Sequence, residues 1–255
     1  MQTQPQPPPG APAPAASPPA PSGAIAHEIT HGPSFAMLRA DLQPGQTLIA
    51  EAGSMVARNQ QVNMEVKMNA GPGAGFIAKV KALIVAVIRK VVGGETFFVN
   101  HFSAAQPGSV WVAPAMSGQL THRRLQGEKL VLSTGAYVAS AGPLSMNMKF
   151  GGLKSLLAKE GAFFLEIGGH GDLWFNSYGG VQAIDINGPY IVDNGHLVGY
   201  EGNLNFNIKS AGGGLMGFMA SGEGLVCEFN GQGRIYIQSR NTATLVDWLS
   251  RIMPG

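Results

Sequence analysis

The residues best suited to chemistry are six histidines and one cysteine in a chain of 255. His27 and His31 stand four apart, a spacing that would put two metal ligands on one helical face. Gly32-Pro33 follows at once and no helical pattern surrounds the pair, so the two read as incidental residues where the folded body begins. His101 falls after an apolar segment, His122 lies beside Arg123-Arg124, and His170 is flanked by glycines. His196 follows Asp193-Asn194-Gly195, which has turn composition. Cys227 sits in the apolar run Gly224-Leu225-Val226-Cys227, where a free thiol reads as a small core residue. A Gly-x-Ser-x-Gly elbow is absent, and Gly71-Pro72-Gly73-Ala74-Gly75 lacks the Lys-Ser/Thr ending of a phosphate loop. The expectation is therefore no enzyme, with no catalytic residues, no metal and no cofactor.

The elements that would have to position any such chemistry are strands. Gly is unusually frequent, with 36 residues, and charged side chains make up only 13%. Hydrophobic residues reach 45%, enough for a sizeable core. Residues 1–24 form a Pro/Ala-rich tail; its first 23 residues hold nine of the 17 prolines, and the first charge is Glu28. Such a segment has little to bury and is expected to be disordered and extended. The start lacks the basic and apolar pattern of a secretory signal, and one cysteine allows no intrachain disulfide, so a cytoplasmic setting is expected.

From residue 25 onward the chain repeats itself. Leu48–Lys67 aligns without a gap to Leu130–Lys149 and to Tyr190–Lys209. Each copy has an apolar triplet, then a glycine (Gly53, Gly135, Gly195), then a valine (Val56, Val138, Val198). Val62, Met64 and Val66 next correspond to Leu144, Met146 and Met148, and to Leu204, Phe206 and Ile208. Polar residues sit between them, and this period of two predicts a strand with one face in a core. The shared glycine predicts a positive φ or a place with no room for a side chain.

A second block recurs in the same order. Gly108-Ser109-Val110-Trp111-Val112 matches Gly171-Asp172-Leu173-Trp174-Phe175 and Gly233-Arg234-Ile235-Tyr236-Ile237. An aromatic between apolar neighbours predicts burial on both faces. Two ordered blocks predict an all-β chain of three tandem units, 25–115, 116–178 and 179–240, related by an approximate three-fold axis. A short helix at 242–252 closes the chain, capped by Asn241 or Thr242.

Between the repeated lysines (Lys67, Lys149, Lys209) and the following glutamates (Glu95, Glu160, Glu223) each unit carries an apolar, Gly-flanked excursion. The first is the longest. Treated as a helix, it gathers Phe76, Leu83, Ile84, Val87 and Ile88 on one apolar arc and leaves Lys79, Lys81, Arg89 and Lys90 outside it. The second has Leu153, Leu156 and Leu157 flanked by lysines, and the third has Leu215, Met216, Phe218 and Met219 with no charge. The uninterrupted apolar run Ala82–Ile88 falls far short of the ~20 residues that span a bilayer. A basic amphipathic segment can instead lie in an anionic membrane interface. Membrane contact, subunit contact and packing within the chain all remain open for these residues.

The runs Leu42-x-x-Gly45, Ala52-Gly53-Ser54-Met55-Val56 and Gly94-Glu95-Thr96-Phe97-Phe98-Val99-Asn100, with the Gly-rich excursions ahead of each glutamate, resemble the altered-inheritance-of-mitochondria protein 24 family. The resemblance runs from about Phe35 to the C-terminus and leaves out the Pro-rich tail. It departs at Phe76–Val92, which is longer and more β-branched than the family pattern. It implies three copies of a short double-stranded β-helix unit, similar to the subunit of the tryptophan RNA-binding attenuation protein, and it brings no catalytic residues. Double-stranded β-helix enzymes of the cupin type carry a His-x-His pair, which this sequence lacks.

Nucleic acid is not expected. Net charge is only +2, and the aromatics that could stack on bases fall in strands predicted to be buried. The reading is a non-enzymatic scaffold or interaction protein, a homo-oligomer, with peripheral contact to the inner face of a membrane and an unknown protein partner. The alternative is a β protein that binds a small ligand.

Overall fold

The computed structural model describes residues 23–68, 98–150, 163–210 and 225–253. The alternating block becomes β5 (Val62–Met68), β10 (Leu144–Phe150) and the second half of β14 (Leu197–Ser210). Each pairs antiparallel with the strand that follows it: β6 (Phe98–Ala104), β11 (Phe163–Asn176) and β15 (Leu225–Gln238). Met64 faces Phe102, Met146 faces Ile167 and Phe206 faces Phe229, so the aligned columns fall in equivalent registers.

The apolar triplets occupy β3 (Thr47–Glu51), the end of β8 (Leu120–Ser133) and β13 (Tyr190–Asp193). These pair with the opposite edge of the same three strands, with Leu48 on Phe102, Leu130 on Ile167 and Tyr190 on Phe229. The chain then turns into β4 (Met55–Arg58), β9 (Tyr137–Ala141) and the start of β14. Here Ala57 pairs with Trp111 of β7 (Gly108–Val112), Ala139 with Trp174 and Gly199 with Tyr236. The register slips by one residue just before each of these pairs, and the residue skipped is Val56, Val138 or Val198. The repeated valine therefore marks a β-bulge, the device that bends a strand and re-aims its side chains.

β2 (Met37–Leu42), the start of β8 and β12 (Val181–Asn187) close the scheme, pairing Leu42 with Gly108, Leu125 with Gly171 and Ile186 with Gly233. β1 (Ala26–Thr30) adds to the outer edge of β2. Four strands follow the order β1-β2-β7-β4; eleven others form one sheet along β12-β15-β14-β8-β11-β9-β3-β6-β5, with β10 joined to β11 and β13 to β15. Consecutive segments are stitched by a recurring junction. β9 pairs with β3 through Ala139–Ala50 and Ser140–Ile49, and β14 pairs with β8 through Gly199–Leu132 and Tyr200–Val131.

The cores follow the same succession. Leu38, Leu48, Phe102 and Val110 form one cluster, which also takes in Val138 and Trp174 from the next segment. Leu125, Leu130, Ile167 and Phe175 form a second, joined by Val99 from before and by Val198 and Tyr236 from after. Val192, Cys227, Phe229 and Ile235 form a third with Val131 and Phe164. The terminal helix α1 spans Thr242–Ile252, and the Asn241 side chain accepts from the Ala243 N–H at 2.9 Å, as expected of a cap.

The glycine column holds at two of its three copies, and the aromatic strand only in part. Gly53 has φ +91°, whereas Gly135 and Gly195 do not adopt a positive φ, because a 3-10 turn replaces the simple turn in the later copies, and a Cβ on Gly135 would meet nothing within 4 Å. At Gly195 the demand is for space: a Cβ there would sit 2.2 Å from the Asn241 amide nitrogen. The aromatic strand is buried on both faces at Leu173-Trp174-Phe175, but Trp111 is half-exposed with the Arg39 guanidinium 5.6 Å from its ring centre. Trp174 is covered by the preceding segment, and among the described residues Trp111 has no equivalent neighbour on that side.

Candidate functional site

The residues singled out in the excursions, Phe76 to Lys90, Leu153 to Leu157 and Leu215 to Met219, lie outside the described residues. Their roots do not. Segments 69–97, 151–162 and 211–224 each leave and return through adjacent partners of an antiparallel pair: Met68 with Phe98, Phe150 with Phe163, and Ser210 with Leu225. The repeated lysines stand one residue before these mouths, and each meets a carboxylate. Lys149 contacts Glu166, Lys209 reaches Glu228 at 2.6 Å, and Lys67 reaches Glu65 at 3.1 Å. Lys129 adds a second cation on Glu166, whose carboxyl is held below its ordinary value first by the Lys149 hydrogen bond. In the first copy the position of Glu166 and Glu228 is taken by His101, opposite Glu65 in register.

The histidine pair of the sequence is not brought together. His27 lies on β1 and its Nδ1–H donates to the Ile25 carbonyl, whereas His31 sits past the strand with φ 57°. His27 instead meets His122, ring centres 4.4 Å apart, and both pack on Trp174. His122 Nε2 donates to Asp172 at 3.0 Å, and Arg124 contacts both oxygens of that buried carboxylate at 3.2 and 3.1 Å. Burial raises Asp172, but the His122 hydrogen bond and the Arg124 charge outweigh it and leave the carboxyl below its ordinary value. The sequence held a hint of this in His122-Arg123-Arg124, but the partners come from two distant strands, β1 and β11. Among the described residues no three His, Cys, Asp or Glu side chains converge as a metal site.

The cluster has a consequence for stability. Burial is the main cause holding His27 below the ordinary histidine value of 6.5, and burial followed by the Lys67 charge does the same for His101. The unfolded chain then binds protons more readily than the folded one, so stability is full above about pH 6.5 and declines as the pH falls below it. Thermal melts at about pH 7.5 and about pH 5.5 are expected to show this loss, and a His27→Gln/His101→Gln variant to lessen it. An equal loss in the variant would assign the decline to other groups.

Cys227 is fully buried, and burial pushes its thiol up to about 12, so it is no nucleophile at neutral pH. A second junction carries a polar network. Arg123 grips Glu201 with two bonds of 2.8 Å, and the Tyr236 hydroxyl, 2.7 Å from Arg123, donates to Glu201 at 2.7 Å. A shallow cleft of about 330 Å³ lies between Pro33–Phe35, Ser117, Tyr178–Gly180 and Arg240, and most of the residues that line it are exposed. Among the described residues no helix is long and apolar enough to cross a membrane.

The sequence pattern described as Mitochondrial biogenesis AIM24 matches residues 27–240. An uncharacterised protein of Streptococcus pyogenes serotype M6 is 30% identical over 223 residues, covering 86% of this chain and 88% of that protein. The crystal structure of a Streptococcus pyogenes protein superposes with a TM-score of 0.73 at 29% identity, across 90% of this chain and 100% of that one. The matched span takes in every repeated block and every excursion, and the chain belongs to the Mitochondrial biogenesis AIM24 family.

Proposed function

We propose that this protein is a non-enzymatic scaffold: three copies of a short double-stranded β-helix unit that self-associates and presents three apolar excursions to an anionic membrane surface at the inner face of the cytoplasmic membrane. The observation that supports the reading is the equivalence of the three excursion roots, each at the open end of the same strand pair. Apolar residues recur in all three excursions, and the first adds four cations with no acid between Phe76 and Val92. Each cation near a charged surface contributes about 1 kcal/mol, and the apolar arc adds burial in the headgroup region. The lysines at the roots are held by carboxylates, which turns the reading away from nucleic acid.

Flotation with vesicles rich in anionic lipid tests the membrane contact. The native chain is expected to float and a Val85→Asp/Ile88→Asp variant to remain below, because two carboxylates on the apolar run oppose insertion and repel the surface. Equal flotation of both, or none of either, removes membrane contact from the reading.

A further inference from the structure

We infer that the chain assembles head to tail with copies of itself, β4 of one molecule pairing with β13 of the next. The inference rests on the self-association in the reading above and names its surface. Within one chain the junction between β3 and β9 is repeated between β8 and β14 at the same offset. Such a junction joins two different edges, so three segments joined by two junctions leave one edge of each kind unused. Those edges are β4, which among the described residues pairs with β7 alone, and β13, which pairs with β15 alone.

Exposure of equivalent residues marks both ends as unfinished. Val138 and Val198 at the internal junctions are 0% and 1% exposed, whereas Val56 at the same bulge is 56% exposed. Val131 is 7% exposed where β14 covers it, whereas its counterpart Ile191 is 62% exposed. Trp111 repeats the contrast, half-exposed where Trp174 and Tyr236 are buried by a preceding segment. A ring closed within one chain would cover these positions. Edge strands left flat and apolar are templates for another strand, and natural proteins rarely leave them open. The occupant that fits is a second copy, because its edge already pairs with the equivalent edge twice inside each molecule. Carrying the internal offset across the new junction sets Ala57 opposite Val192, Arg58 opposite Ile191 and Asn59 opposite Tyr190.

The full chain carrying Arg58→Cys is mixed with the full chain carrying Ile191→Cys and oxidised; Cys227 is buried and serves as the background control. The mixture is expected to yield a covalent dimer that neither variant gives alone. A chain with both cysteines is expected to give a ladder of multimers. Light scattering supplies a second reading through charge. Ile191→Lys sets like charges opposite one another at Arg58 and should weaken assembly at least about tenfold relative to Ile191→Glu, which sets opposite charges there. No dimer in the mixture, or an intrachain disulfide at monomer mass in the double variant, overturns the inference. In that event a large particle in light scattering would keep self-association alive through another surface. A monomer would end both.

Discussion

Replacing Trp174 with alanine is expected to cost about 3–5 kcal/mol of stability, the upper range for a buried aromatic. The ring is fully buried and belongs to the core cluster built from Leu38, Leu48, Phe102 and Val110 of the preceding segment. Its removal therefore opens a void at a junction where Trp174 is the largest side chain the next segment contributes, and surrounding strands cannot close in without losing register. The indole N–H is buried with no hydrogen-bond partner among the described residues, so Trp174→Phe removes an unsatisfied donor along with part of the ring. Phenylalanine is thus expected to lose less than half as much as alanine. Urea unfolding of the three proteins measures the difference, and an alanine loss below about 1 kcal/mol would show that the junction is not a shared core.

Much of this arrangement was legible in the residues. Alternation at Val62-Met64-Val66 and its two counterparts announces strands, because side chains on a pleat alternate faces whatever they pair with, but the core face ends short of the excursion roots, where Val66 and Met148 are exposed. Spacing also carried the register, since Lys67, Lys149 and Lys209 fall at the same step of their pairs. The valine column was visible as a column but not as a bulge, because a bulge is defined by the partner strand and no local pattern records it. The glycine column left open which demand holds at which copy for a related reason: the space at Gly195 is taken by Asn241, 46 positions away. Nothing in sequence joined His27 to His122 or Arg123 to Glu201, since each contact forms only when successive segments dock. The same blindness hid the two open edges. The repeat predicted three related units but not how they join, and the pairing supplies the two consecutive junctions. The excursions are the reverse case, plain in composition and unaddressed by the described residues.

The second junction is expected to answer to a different chemistry. Where the first places Ala141 and Trp174, the second places Glu201 and Tyr236, and Arg123 stands in the position of Ala40. Glu201→Ala removes the acceptor of two Arg123 bonds and of the Tyr236 hydroxyl, leaving a buried phenol without its acceptor and a partly solvated guanidinium with only Glu128, 3.9 Å away, as an anion. Losing one partner of a buried pair costs about 3–5 kcal/mol, and the solvent that reaches Arg123 lowers the expectation here to about 2–3 kcal/mol. The Tyr236 hydroxyl is pushed up to about 12, first by burial and next by Glu201, so it stays a donor across the neutral range and cannot replace the lost charge. Replacing the whole network by apolar side chains should behave otherwise. An Arg123→Met/Glu201→Leu/Tyr236→Phe chain is expected to lie within about 1 kcal/mol of the native protein, because no group is left stranded. Urea unfolding of the single and triple variants gives the comparison. Losses that simply add across the three positions would mean that the network contributes through independent contacts, and that docking of the third segment does not depend on its being complete.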